Sequence, residues 1–179
     1  MREPHPEGKT NGVQIVFLEW GDAVKVADHI RLADQVELAV TRDIHDRLSL
    51  ARSAMSSEYR WAARVQSGPV FAFGAKLFDG GRSAHVWGFG TPDAGPALKA
   101  VTRFIKKHMV PQLLSDGVHR AQAISHPANE IAHRWLTHLG FSLKARISGV
   151  GSRKEDMLLF ETNADVQRRA RSSIPLFPA

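Results

Sequence analysis

Four side chains in this sequence could take a proton from a reacting group: Glu37, His85, His119 and His126. Imidazole titrates near neutrality and a carboxylate in a cleft can do similar work, so each is a candidate general base. Nine histidines are present, so most must serve other ends. There is no cysteine, which removes thiolate nucleophiles, disulfides and thiolate zinc sites, and with them the usual sign of an oxidising compartment. His133 and His138 lie five residues apart on one predicted helix and would face different ways, so no metal site is expected. The single tyrosine, Tyr59, reads as a packing residue with its hydroxyl at the rim.

These groups must be positioned by a chain of 179 residues, enough for one domain with a substantial core. Met1 to Thr10 is polar with two prolines and reads as a flexible arm, without the apolar stretch of a signal peptide. No apolar run approaches the roughly 18 residues of a membrane span, so a soluble protein without a membrane partner is expected. The net charge of +6 is uneven: residues 1–90 hold 11 basic and 11 acidic side chains, residues 91–179 hold 13 and 7. Arg168, Arg169 and Arg171 and the stretch from Lys99 to Lys107 carry the excess, which favours anionic partners in general.

Periodicity gives the elements. Val13 to Trp20 reads as a strand, with Asp22 capping a helix to Val40 that is interrupted near Arg31. A second helix is expected from Asp43 to about Val65, with Ile44, Leu48, Ala51, Met55, Tyr59 and Ala62 as its buried stripe. Gly68-Pro69 ends it, and Val70 to Phe78 pairs through Asp79-Gly80-Gly81 with Ser83 to Thr91 as a hairpin. Beyond Pro92 to Pro96 an amphipathic helix buries Leu98, Val101, Ile105 and Met109 and exposes Lys99, Arg103, Lys106 and Lys107. A strand over Val118 to Ser125, a helix over Pro127 to Leu139 ending at Gly140, and a strand over Met157 to Thr162 complete the pattern. The expected fold is α/β of the α+β kind, a central mixed, mostly antiparallel sheet flanked by helices. It divides into an arm (1–12), a domain (13–162) and a basic, proline-containing tail (163–179).

Asn129, Ala132, Leu136, Gly140 and Phe141 resemble the N-x-x-A-x-x-x-Y-x-x-x-G-F pattern of the last helix of GNAT (Gcn5-related) acetyltransferases, with Leu in place of Tyr. A nearer likeness is to the acetyltransferase-like internal virion proteins of short-tailed bacteriophages. Its matches are His29, Ile30, Arg31 and Asp34 with Glu37 and Leu38, then Ser67-Gly68-Pro69, Val86 to Thr91, and Arg134-Trp135-Leu136. This likeness spans about residues 24–160 and implies a GNAT fold.

What the resemblance implies for chemistry is mixed. An active member holds acetyl-CoA with the splayed strand and the turn after it, here Phe89, Thr91, Gly95 and Ala97, with Asn129 opposite. The turn keeps Gly95 and Ala97 of the Q/R-x-x-G-x-G/A signature, but Pro92 and Pro96 have no N–H, and Asp93 would repel a pyrophosphate. Lys99 and Arg103 could offset this in part. Leu136 stands where the family's proton-donating tyrosine should be, and leucine donates nothing. His126, next to the expected acyl site, is the best base if the protein is active.

The resemblance therefore implies a structural or assembly component of a virion, without standard catalysis and without a cofactor. It would reside in the particle or in the host cytoplasm during assembly and contact other virion proteins through its arm and tail, where Ile174 to Pro178 offers apolar anchors. The alternative is an N-acetyltransferase using acetyl-CoA and an amine. A nucleic-acid module ranks third, because Trp20, Trp61, Trp87 and Trp135 fall on apolar faces and the tail arginines offer only nonspecific contacts.

Overall fold

The computed structural model describes residues 8–10, 12–41, 46–151 and 154–166. The elements run β1 (Gly8–Thr10), β2 (Val13–Phe17), α1 (Trp20–Asp28), α2 (Leu32–Thr41), α3 (Arg47–Met55), β3 (Tyr59–Val65), β4 (Gly68–Phe78) and β5 (Ser83–Gly90). There follow α4 (Leu98–Phe104), α5 (Val110–Ser115), β6 (Arg120–Ser125), α6 (Glu130–His138), β7 (Ser142–Val150) and β8 (Glu155–Asn163). A 3₁₀ turn over Pro92–Ala97 precedes α4, and a π turn over Ile105–Met109 joins α4 to α5.

The strands form one mixed sheet in the order β1-β2-β3-β4-β5-β6-β8-β7, with β1 a short addition at one edge. Only β5 and β6 run parallel, so the expected mixed, mostly antiparallel architecture is what the chain forms.

Each face of the sheet carries its own core. On one face Trp61, Phe71, Phe73 and Phe104 pack ring to ring, with Trp61 edge-on to Phe104 at 5.2 Å, beneath α4 and α6. On the other, Leu18, Val26, Leu50, Ala51, Ala62 and Phe89 pack under α1 and α3.

Two expectations need correction. The helix expected from Asp43 to Val65 stops at Met55, and Tyr59 begins β3. Tyr59, Trp61, Ala63 and Val65 face one core while Ala62 faces the other. A central strand covered on both sides shows no polar alternation, so Met55, Tyr59 and Ala62 mimic a helical stripe. Likewise Asp22 does not cap α1: Glu19 does, and Asp22 sits at the third helical position, its carboxylate accepting the Glu19 amide at 3.3 Å. Asp22 is buried against the Arg64 guanidinium in a two-pronged pair at 2.8 and 2.9 Å. The interruption near Arg31 is present, separating α1 from α2. Strand β7 is not among the expected elements, although Leu143, Ala145 and Ile147 alternate along it; it lies at the sheet edge with mostly exposed side chains. Of the tryptophans expected on apolar faces, Trp61 is buried, Trp87 and Trp135 are half-buried, and Trp20 is exposed.

Candidate functional site

Strands β5 and β6 pair only at Ser83↔Arg120, Ala84↔Ala121 and His85↔Gln122. Beyond His85, β5 follows β4 to Gly90 while β6 follows β8 to Ser125, so the two strands part as the arms of a V. In the regular β4–β5 ladder the Thr91 amide donates to Val70 at 2.9 Å, so the alternate residues Gly88 and Gly90 turn their N–H and C=O away from β4, into the V. Unpaired backbone groups in mid-sheet are costly unless something meets them.

At Gly90 the partner is α2. The Gly90 amide donates to the Asp34 carboxylate at 2.8 Å, and the Arg31 amide donates to the Gly90 carbonyl at 2.8 Å. Arg31 Nε donates to the same Asp34 oxygen at 2.8 Å. Asp34 is 5% exposed, and burial raises its pKa above the usual carboxylate value, against the lowering pull of Arg31 and the Gly90 amide.

One turn further along α2, Glu37 reaches the other arm. Its Oε2 accepts from Ser125 Oγ at 2.8 Å, the His126 amide at 3.0 Å and Asn129 Nδ2 at 3.0 Å. Helix α2 is therefore a strap fastened to both arms of the V: Arg31 and Asp34 hold β5, and Glu37 holds the end of β6 and the start of α6.

Between the arms lies a cavity of about 380 Å³. Its wall includes Gly88, Phe89, Ala123, Ser125, Leu136 and Glu37, and it extends under α4 and α5 through Ile105, Met109 and Leu113. Gly88 is exposed, and its N–H and C=O point away from β4 on the side of the cavity. No residue from Thr91 to Ala97 lines the cavity.

That turn serves itself. Thr91 Oγ1 accepts the Asp93 amide at 3.3 Å, the Thr91 carbonyl accepts the Ala94 amide at 3.1 Å, and the Gly95 carbonyl accepts the amide of Leu98. A Cβ placed on Gly95 would meet nothing within 4 Å, and its φ is not in the left-handed region, so neither crowding nor conformation requires glycine there.

No protein-family model and no curated protein matches the sequence. Solved structures do. A GNAT-family acetyltransferase from Bacillus anthracis is 14% identical with a TM-score of 0.62, over 89% of this chain and 99% of that one. The Ard1 protein of Thermoplasma volcanium is 13% identical with a TM-score of 0.66, over 85% and 97%. An acetyltransferase of Salmonella typhimurium, solved with its cofactor acetyl-CoA, is 18% identical with a TM-score of 0.59, over 86% and 94%. This chain has the GNAT acetyltransferase fold.

The expected site residues do not all come together. Phe89 stands on the β5 arm, buried, and Asn129 caps α6 through the Ala132 amide at 3.3 Å while it donates to Glu37. Thr91, Gly95 and Ala97 lie in the adjoining turn, outside the cavity wall. The turn does not fit a pyrophosphate: two prolines lack donors, the Asp93 and Ala94 amides are taken, and Asp93 adds a negative charge.

His126 is fully engaged. Its Nδ1 accepts the Ala128 amide at 3.2 Å, which assigns the proton to Nε2, and Nε2 donates to the Glu155 carboxylate at 3.2 Å. His133 donates to the His126 carbonyl at 3.1 Å. His85 and His119 line the closed end of the cavity, where β5 and β6 begin their pairing. Leu136 is 7% exposed and belongs to the core under α6. Tyr59 lies on β3, where its hydroxyl donates to Asp116, away from the cavity wall. Among the described residues no cluster of histidines and carboxylates could hold a metal ion.

Arg31 and Asp34 are the site residues whose role the sequence did not reveal. The available signal was spacing: Arg31, Asp34 and Glu37 recur every three residues, which puts them on one side of a helix.

Proposed function

We propose that this GNAT-fold domain acts as a structural or assembly component of a bacteriophage virion and does not carry out standard acetyl transfer. The strap formed by α2 carries the reading. The Gly90 amide and carbonyl, the backbone groups of β5 nearest the turn, are bound by Asp34 and Arg31 of the chain itself. The turn beyond them spends its donors internally, and Leu136 supplies no proton. Arg31 and Asp34 are also residues of the short-tailed phage likeness, so the motif and the closure are one feature.

In this role the partners are other virion proteins, met through the N-terminal arm and the C-terminal tail. Most of the arm, and Arg168, Arg169, Arg171 and Ile174 to Pro178 of the tail, lie outside the described residues. Among the described residues no helix is long and apolar enough to cross a membrane. The place of action is the particle, or the host cytoplasm during assembly.

One observation favours a second reading. The cavity of about 380 Å³ and the outward backbone of Gly88 leave room for an acyl group between the arms, as an N-acetyltransferase would need.

Calorimetric titration of acetyl-CoA into the full chain separates the two. No detectable heat is expected for the native sequence; micromolar binding would sink the non-catalytic reading. For the assembly role, a phage carrying an amber codon in this gene should yield defective particles on a non-suppressing host, and a normal yield of infectious particles overturns it.

A further inference from the structure

Helices α4 and α6 lie side by side: Trp135 Nε1 donates to Thr102 Oγ1 at 2.8 Å, and Lys106 Nζ meets His138 Nε2 at 3.2 Å. Lys99, Arg103 and Lys106 share one face of the rod that begins with α4, with Lys107 beside them and Arg134 on α6. Elsewhere Arg31, Arg47, Arg64, Arg82 and Arg146 are paired with carboxylates. Among the described residues no ion pair reaches Lys99, Arg103, Lys106, Lys107 or Arg134, and all but Lys106 are exposed. The acids nearby, Asp93 and Glu130, stand at the N-terminal ends of the two helical runs and pair with none of them.

We infer that the α4–α6 face is a docking surface for the sugar-phosphate backbone of duplex nucleic acid. Unpaired Lys and Arg gathered on one face are the electrostatic footprint of a polyanion, whereas Lys is depleted at protein–protein interfaces. Arg103 and Lys106 lie about 6 and 10.5 Å along the helix from Lys99, a span over which one strand of a duplex, with a charge per about 3.4 Å of axis, presents several phosphates. Apart from Ile131 the face has no large exposed apolar side chain, and Trp135 turns its indole N–H inward. Without an aromatic platform the surface cannot stack bases, so it reads the backbone of a duplex and carries no sequence preference.

The test is fluorescence anisotropy of two labelled 20-base-pair duplexes of unrelated sequence with the full chain, over a series of salt concentrations. Both should bind equally, with log K falling against log salt at a slope of about −4, the release expected from four to five phosphate contacts. The triple variant Lys99→Glu, Arg103→Glu, Lys106→Glu should bind about 100-fold more weakly in low salt and lose about three units of slope, while its circular dichroism melt stays that of the parent. A control triple, Arg47→Glu, Arg82→Glu, Arg146→Glu, changes net charge equally and should weaken binding far less. Replacing Arg168, Arg169 and Arg171 by Gln should leave most of the affinity. Absence of binding in low salt, equal losses in the two Glu triples, or a loss confined to the tail variant overturns the inference.

Discussion

The Gly90 amide and the Asp34 carboxylate meet at 2.8 Å across 56 residues of chain, and with this bond a helix takes up the polar edge of a parted strand. Replacing Asp34 by Ala leaves the Gly90 amide and the Arg31 guanidinium without their acceptor. The expected cost is about 1–3 kcal/mol, that of stranding buried donors. Urea denaturation should show the loss, and amide exchange at Gly90 should quicken in step. Unchanged protection at Gly90 would mean that the strap holds without this bond.

Asp34 also sets a pH dependence. Burial raises its folded-state pKa above 3.8, so between the unfolded and folded values the native state holds the proton more firmly. Its contribution is fully present below the unfolded value and is lost as pH rises through the folded one. Asp34→Asn keeps an oxygen for the Gly90 amide and removes the titration. Native stability minus that of the Asn variant should therefore decline as pH climbs from about 4, and urea midpoints measured across that range check it. A difference that stays flat, or grows, contradicts the assignment.

Glu37 gathers three donors onto one oxygen, two of them at the end of β6 and one, Asn129, at the cap of α6. Glu37→Ala should cost about 1–3 kcal/mol and loosen the first turn of α6, seen as faster exchange near Ala132. Glu37→Gln retains an acceptor and should recover part of the loss. If Ala and Gln behave alike, the side chain matters for its bulk alone.

Two glycines make a contrast. A Cβ on Gly74 would stand 2.1 Å from the Tyr59 carbonyl and 2.7 Å from the Trp87 ring, whereas one on Gly95 meets nothing within 4 Å. Gly74→Ala should destabilise by about 1–3 kcal/mol or more as the central strands move apart. Gly95→Ala should be neutral within about 0.5 kcal/mol. Thermal melts of the pair decide, and a larger loss at Gly95 would show that the turn is held in a conformation other than the one seen.

Much of the fold was readable because its signals are local. The hairpin announces itself through Asp79-Gly80-Gly81, and α6 through Pro127 just before it and Gly140 at its end. What escaped were the elements whose patterns depend on the sheet. β3 is buried on both faces, so its small and aromatic residues read equally well as a helix, and β7 is an edge strand whose alternating Leu143, Ala145 and Ile147 stay mostly exposed. For the site, the poor phosphate turn and the missing tyrosine could be read from Pro92, Asp93, Pro96 and Leu136. The bond from Asp34 to Gly90 could not, since nothing local links residues so far apart. His126 shows the limit from the other side: its type and place suggested chemistry, and only the Ala128 amide and Glu155 revealed how both ring nitrogens are employed.

The strap also bears on how the molecule is made. The bonds from Glu37 to Ser125, His126 and Asn129 span 88, 89 and 92 residues, while the β3–β4–β5 meander pairs with its own neighbours. Contacts of such long sequence separation repay loop closure late. During synthesis the meander can therefore assemble while α2 still waits for β6 to emerge, with the Glu37 carboxylate in water. Fastening the second arm becomes a checkpoint that only a chain translated past Asn129 can pass.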